Sequence, residues 1–503
     1  MASISINSAV LRGAQALPVS VELSISGGIP GITIVGLADT SVQESRSRVR
    51  SALKAAGFKF PSAHIVVNLS PGDIRKSGPG FDLPIALGIL LLTKQVSWEH
   101  FGDCLVVGEL SLDGKVKAVR GMVAFELLAQ EQKLSLISGA HPGERLSIEG
   151  VDRRVARWLS DFSLHEYERL QVPNTCSKFQ HKLNFAEVAG QKLAKRALVL
   201  AAVGNHSLLM TGSPGSGKTM LAARLPGILP RLSAQEQLQA ALMHSICGQG
   251  LDSIADGLRP FRAPHHSISL AGLVGGGRPV MPGELSLAHT GVLFLDELSE
   301  FKAQTLQALR QPLEAGKIKV VRLEGAFDFP SQVQLIAASN PCPCGYLGDK
   351  ERRCICSEQA IVRYQAKMGG PLMDRIDMAV ELFRPSLSEL MSPHKELDSQ
   401  ELYLQVQAAR SFKEERNSWF ASKELNSDSE VERIKIFKAC QIKKADQNKL
   451  NKIFEAAHLS ARSYIKVLRL ARSIADLDLR AQVELDDVYE ALAFKPTWFK
   501  REA

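Results

Sequence analysis

No window of the 503-residue chain approaches eighteen uninterrupted apolar residues, and ALGILLLTKQV is too short to cross a bilayer. The opening stretch MASISINSAVLRG has no basic patch followed by an apolar run, so it does not read as a secretion signal. Charge of one sign is not abundant either. The 61 Lys and Arg stand against 53 Asp and Glu, and a net +8 permits a polyanionic partner without demanding one. Cysteine is scarce outside one spot: Cys104, Cys176, Cys247 and Cys440 stand alone, which suits reduced core thiols better than a disulfide framework. There is no internal repeat and no low-complexity tract. These absences predict a soluble, cytoplasmic protein without a membrane partner. With 45% hydrophobic and 23% charged residues, the chain has ordinary globular composition. Its length suits about three domains of on the order of 150 residues each.

Residues 1–170 alternate extended and helical patterns. GITIVGL and HIVVNL read as strands, and ADTSVQESRSRVRSALKAAGF as a helix capped near Asp39 or Thr40, with Val42, Val49, Leu53 and Ala56 inward and Gly57 as its stop. Arg46, Arg48, Arg50 and Lys54 on its other face read as a solvated surface. The polar segment QVPNTCSKFQHK, residues 171–182, breaks the pattern as a linker. Strands and helices alternate again over 183–385, predicting an open, mostly parallel α/β sheet. Over 386–503 glycine all but disappears and the pattern becomes helical and highly charged.

The strongest chemical signal is HSLLMTGSPGSGKTMLAARL, an apolar strand running through GSPGSGKT into a helix. It matches a phosphate-binding loop in the strand–loop–helix context that the mechanism needs. The run Gly212, Ser213, Pro214, Gly215, Ser216, Gly217 curls backbone N–H groups around phosphates, Lys218 reaches the β and γ oxygens, and Thr219 offers its hydroxyl to Mg²⁺. Downstream, GVLFLDELSEF ends an all-apolar strand in two carboxylates. Asp296 is expected at the Mg²⁺ and Glu297 at the attacking water. A third strand, VQLIAASN, delivers Asn340 to the same edge. Together these predict an ATPase core that takes ATP and Mg²⁺.

The basic stretch GKIKVVRLEGAFDFPSQ alternates as a hairpin with Glu324 and Gly325 near its turn, and carries Lys317, Lys319 and Arg322. It reads either as a DNA contact or as a lysine-protected edge. The glycine-rich insert FRAPHHSISLAGLVGGGRPVMPG adds Arg262, His265, His266 and Arg278. In NPCPCGYLGDKERRCICS, Cys342, Cys344, Cys354 and Cys356 form two tight Cys-x-Cys pairs. Four thiolates on a short loop suit a tetrahedral structural Zn²⁺. An iron–sulfur cluster and a redox pair use the same ligand type, but the closed zinc loop is the simpler reading. Lying between Asn340 and Arg375, the loop is expected to matter more for DNA-dependent function than for ATP binding. Its Lys350, Arg352 and Arg353 read equally as DNA contacts or a solvated rim.

FRAPHHSISLAGLVGGGRPVMPGELSLAHTGVLFLDEL, LRQPLEAGK, NPCPCGY, GPLMDRID and LSARSYIKVLRLARSIADL together resemble the ComM/YifB family of Mg-chelatase-like AAA+ proteins, over nearly the whole chain. The resemblance implies a hexameric ATPase with a central AAA+ domain and a helical lid. It assigns Asn340 to sensor 1, Arg375 to a finger supplied to the neighbouring subunit, and Arg462 to sensor 2. It also implies ATP-driven branch migration on single-stranded and branched DNA during natural transformation, alongside recombination proteins, with both insertions facing a central pore. Ser213 departs from the proline more usual in the family, a change expected to be tolerated because that position contributes backbone. Residues 1–170 resemble a Lon-protease-like (ribosomal S5-like) domain, yet no serine stands at Gly80 to Asp82, and Val123 or Ala124 falls where a lysine is needed. The dyad is missing, so scaffolding or DNA binding is expected in place of proteolysis. Two other readings stay open: a metal-chelatase motor subunit that remodels a metal-inserting partner, and a regulatory protein that uses ATP as an assembly switch. Intact Glu297 and Arg375 argue against the switch.

Overall fold

The computed structural model describes residues 3–97, 103–140, 145–164, 167–170, 183–322, 325–349, 351–368, 372–385, 397–421, 436–457 and 459–495. The expected linker 171–182, Glu324 at the hairpin turn and Lys350 lie outside the described residues. The expected class, a mixed α/β chain with a parallel sheet and a C-terminal helical region, is what the chain adopts. No described helix is long and apolar enough to cross a membrane.

The first part is built on an eight-stranded mixed sheet in the order 168–169, 153–156, 135–139, 104–106, 3–12, 15–26, 64–70, 31–35. Its centre is the hairpin Ser3–Arg12 and Gln15–Ser26, closed with Arg12 opposite Gln15 and Gly13 at a positive φ of 60°. Helix Thr40–Ala55 follows the 3.6-residue pattern. Asp39 caps it by accepting from Val42 N at 2.9 Å, and Val42, Val49 and Leu53 are fully buried. Arg48 corrects the expected solvated face. Its guanidinium donates to both oxygens of the fully buried Asp82, at 2.7 and 3.0 Å, because a carboxylate inside the core needs a cation beside it. Asp82 is therefore held in an ion pair, while Val123 and Ala124 are buried apolar residues.

The second sheet is wholly parallel, in the order Phe261–Arg262, Val292–Leu295, Gln334–Ser339, Leu208–Gly212, Met378–Leu382. Alternation along each strand sorts side chains to two faces. Leu208, Met210, Val292, Phe294, Ile336 and Ala338 join one apolar cluster with helix Lys192–Gly204 and the C-terminal helices. Leu209, Leu293, Leu295, Leu335 and Ala337 join the cluster on the opposite face. The C-terminal helical region packs through helix Ala461–Leu477, where buried Asp476 accepts from Arg416 and from Arg472 Nε at 3.1 Å.

The two sheets meet through specific contacts. Gly121 N donates to Ser245 O at 2.9 Å, Arg145 pairs with Asp256 at 2.8 Å, and the Arg12 guanidinium lies 5.8 Å from the Phe327 ring centroid.

Candidate functional site

All five strands of the parallel sheet point one way, so their C-terminal ends share an edge, the usual place for a ligand in an open α/β sheet. Strand Leu208–Gly212 ends there in the phosphate loop, in which Gly215 and Gly217 take φ of 81° and 90°. Lys218 is buried and donates to Gly212 O at 2.7 Å, to Ser213 O at 3.1 Å and to Asn340 Oδ1 at 3.3 Å. Burial pushes its pKa down, opposed by Asp296. Thr219 Oγ1 donates to Asp296 Oδ2 at 2.6 Å, so hydroxyl and carboxylate stand side by side as a hard-cation pair requires. The loop residues 212–219, Asp296 and Asn340, far apart in the chain, form one site.

Glu297 joins them with a partner that its sequence context did not suggest. It is 57% exposed, sits at a positive φ of 50°, and its carboxylate lies 3.0 Å from His266 Nδ1. The His266 ring rests on His265 with centroids 4.0 Å apart and meets Phe301 edge-on. The insert histidines expected in a pore thus include one against the candidate catalytic carboxylate. Arg262 is engaged within the chain, bound to both oxygens of Glu284 at 2.6 and 2.7 Å.

The four-cysteine loop leans on the phosphate loop. The Sγ atoms of Cys342, Cys344, Cys354 and Cys356 lie within 4.8 Å of one another, three of the pairs at 3.4 to 3.7 Å. A Cβ on Gly345 would come 2.7 Å from Pro214 Cδ, and Asp349 Oδ2 lies 3.8 Å from Arg384 Nε. The nearby Ser213 hydroxyl and the N–H groups of Arg352 and Glu351 hold the Asp349 carboxyl below its ordinary pKa. Arg384, just past strand Met378–Leu382, donates to Pro214 O at 3.1 and 3.2 Å and stacks over Tyr346 at 5.4 Å, with Arg352 also 5.3 Å from that ring. Ser213 offers its backbone carbonyl to Lys218 Nζ at 3.1 Å and to Ser216 N at 3.2 Å. Beyond the loop, helix Glu358–Met368 ties back through Tyr364, whose hydroxyl accepts from Ser299 Oγ at 2.6 Å. The loop bears on nucleotide-site residues on two sides, contacts that an expectation of a mainly DNA-dependent role did not include.

Arg375 and Arg462 stand at the other end of the sheet. The Arg375 carbonyl accepts from Ser207 Oγ, just ahead of strand Leu208–Gly212, whereas Lys218 bonds Gly212 at that strand's far end. Five extended residues separate the two by about 16 Å, at about 3.3 Å per residue. Arg375 is 8% exposed and paired with Glu314, and Arg462 reaches the same carboxylate at 3.3 Å. Glu314 lies in LRQPLEAGK, where its residue type and spacing alone gave no sign of a role.

Lys317, Lys319 and Arg322 are exposed on one strand of the hairpin Lys317–Arg322 and Gly325–Pro330, while Ile318, Val320, Phe327 and Phe329 are buried beneath it. A Cβ on Gly276 would sit 3.4 Å from the Arg322 guanidinium, so the glycine-rich insert and the hairpin are neighbours.

Comparisons with known proteins cover the same span. The family described as "Magnesium chelatase, subunit ChlI" matches residues 184–390, "Subunit ChlI of Mg-chelatase" matches 21–138, and the ChlI C-terminal family matches 396–495. The chain is 39% identical over 498 residues to Competence protein ComM of Haemophilus influenzae, covering 96% of this chain and 95% of that protein. It is 36% identical over 497 residues to Uncharacterized protein YifB of Escherichia coli, again covering 96% and 95%. A 28% identity over 160 residues to the Magnesium-chelatase 67 kDa subunit of Chlorobaculum parvum covers 31% of this chain and 23% of that one.

The bonds to Pro214 make a direct prediction. Hydrogen bonds from a charged donor contribute about 1.5–3 kcal/mol, so Arg384→Ala is expected to weaken ATP binding by about tenfold or more. Titration with a fluorescent ATP analogue reads this, and an affinity within about twofold of the parent would mean that the phosphate loop holds its shape without Arg384.

Proposed function

The chain belongs to the ComM/YifB family of Mg-chelatase-like AAA+ ATPases, and from that premise we propose that it is a hexameric, ATP-driven DNA motor that moves branched DNA during recombination. The observation that carries the reading is the divided site. The phosphate loop, Asp296, Glu297 and Asn340 occupy one edge of the sheet, and Arg375 and Arg462 occupy the other. An arginine that stabilises charge on a transferring phosphoryl group must reach it. In this reading Arg375, remote from the phosphate loop of its own subunit, serves a neighbouring subunit's nucleotide. In this reading Lys218 and the loop amides hold the phosphates, Thr219 and Asp296 hold Mg²⁺, Glu297 polarises water and Asn340 orients it. Held there, Mg²⁺ would supply charge neutralisation at the phosphates.

The DNA part of the reading rests on the family resemblance and on Lys317, Lys319 and Arg322, which line an exposed strand suited to follow a phosphate backbone. The relative named Competence protein ComM fits a role in natural transformation, in the integration of incoming DNA. A second reading, a motor subunit that remodels a metal-inserting partner, draws on the chelatase names of the matched families and on the 160-residue match. It requires no stimulation by DNA.

The four-cysteine loop fits Zn²⁺. Tetrahedral coordination with Zn–S near about 2.3 Å needs sulfurs about 3.8 Å apart, close to the separations in the cluster. We assign it as a closed structural site, one per subunit, that stiffens the brace against Ser213 and Pro214.

The divided site is tested by complementation. Arg375→Ala is expected to bind ATP and hydrolyse it slowly, Lys218→Ala to lose binding, and their mixture to regain activity where an intact finger meets an intact phosphate loop; mixed rings without any rescue would refute the trans assignment.

For the DNA role, ATP should drive strand exchange on a synthetic three- or four-way junction. Neutralising Lys317, Lys319 and Arg322 should reduce the salt dependence of binding by a slope of about one for each phosphate that no longer meets a cation. An unchanged slope removes the hairpin from the DNA path, and absent stimulation favours the chelatase reading.

Elemental analysis of reduced protein should find one zinc per subunit. Cys354→Ser with Cys356→Ser should release it and also lower affinity for the ATP analogue. Iron with visible absorption, or no metal, is the result that overturns the zinc assignment.

A further inference from the structure

Two arginines share one carboxylate at the edge of the sheet remote from the phosphate loop. Glu314 pairs with Arg375 and lies 3.3 Å from Arg462, beside a cavity of about 370 Å³ that Asp374, Asp377, Lys466 and Arg469 also line. Four basic groups thus face three acidic ones, and cations are in excess. The acidic groups are not equally held. Asp377 accepts from Ser207 N at 2.9 Å and from Ser207 Oγ at 2.9 Å, so it is fastened to the base of the central strand. Lys466 donates to Ile376 O at 2.7 Å and lies 3.7 Å from Asp377. Glu314 is 47% exposed and Arg462 52%. Ion pairs of half-exposed groups are weak, so the hold on Arg462 is released at little cost. Arg375 is more deeply set. Burial, and then the neighbouring charges of Arg462 and Arg310, push its pKa down, so a cation crowded in this way needs an anion wherever it goes.

What displaces Glu314 is written in the chain connection. Glu314 is in helix Arg310–Ala315, and Gly316, at φ 65°, is the single residue between that helix and the basic strand Lys317–Arg322. The joint is stiff. Gly316 N donates to Pro312 O at 2.9 Å, Ser331 N to Gly316 O at 2.8 Å and Ser331 Oγ to Pro312 O at 3.3 Å, which ties both ends of the hairpin to the helix. A pull on the hairpin is therefore a pull on Glu314.

We propose that Glu314 is a brake on the arginine pair: it holds Arg375 and Arg462 within their own subunit, and loading of the adjoining hairpin by a nucleic-acid backbone withdraws it, freeing both for the triphosphate bound by a neighbouring copy. This rests on the proposed ring motor and adds to it the residue that links polymer binding to hydrolysis. Glu314 acts through the arginines and is a positioning residue. A triphosphate and Glu314 compete for the same two cations, so the state of the hairpin sets which one wins.

The test is the rate of ATP hydrolysis with and without saturating single-stranded DNA, at matched oligomer size. Glu314→Gln keeps the shape and removes the charge. Its DNA-free rate should rise by about fivefold or more, as expected for coupled sites, and its stimulation ratio should fall accordingly. Glu314→Asp should stay near the parent. In an Arg375→Ala background Glu314→Gln should raise nothing, an outcome that a merely structural role does not produce. An unchanged DNA-free rate with the parental ratio overturns the brake, and so does a rate lowered in both conditions. If the parent itself is not stimulated by DNA, the DNA-motor reading fails, while a raised rate in Glu314→Gln still establishes the brake and assigns its release to another ligand of the hairpin.

Discussion

One strand, Leu208–Gly212, sets the distance on which the chemistry depends. At its C-terminal end Gly212 begins the phosphate loop, and Ser207, just before its N-terminal end, holds the Arg375 carbonyl. A strand cannot shorten, because its length is fixed by extended backbone and by parallel pairing on both sides with Gln334–Ser339 and Met378–Leu382. Arg375 is therefore held away from the phosphate loop of its own chain. Parallel pairing also brings Asp296, Asn340 and Arg384 to the phosphate end, since each follows the C-terminus of a strand in the same sheet. A mixed sheet would have scattered them.

The phosphate loop is shaped from inside and from outside. Inside, buried Lys218 bonds the loop's own carbonyls. Outside, Arg384, Asp349 and Gly345 press on Ser213 and Pro214, and the cysteine loop that carries two of them is anchored through Tyr364 to the turn after Asp296. A glycine-rich loop can cradle phosphate because it is conformationally permissive, and the same freedom must be limited for the cradle to persist. The brace supplies that limit, and in doing so connects loop 212–219 to the turn after Asp296.

The features legible in the sequence are those whose partners are near in the chain or whose pattern is periodic. The helix at Thr40–Ala55, the alternating strands of the central sheet, the loop 212–219 and the carboxylates ending strand Val292–Leu295 all express local geometry. The clustering of four cysteines was legible for the same reason. Arg48 was misread as solvated, and the partners of Arg262 and His266 were not foreseen, for one reason: Asp82, Glu284 and Glu297 come from other elements. A charged residue on a helix face looks solvated until the fold brings a buried carboxylate beside it.

Residue type and spacing over short stretches were enough to settle the fold class, the glycine-rich loop 212–219, the strand that ends in two carboxylates and the thiol cluster. They decide backbone conformation and ligand chemistry before any long-range contact forms. Packing of distant elements was needed to settle which end of the sheet each charge occupies, that Glu314 joins Arg375 to Arg462, and that the cysteine loop bears on Pro214. Electrostatic pairing acts through space, falling off over a few ångströms of separation. It therefore depends on how strands are ordered and helices packed, which no local stretch of this sequence encodes alone.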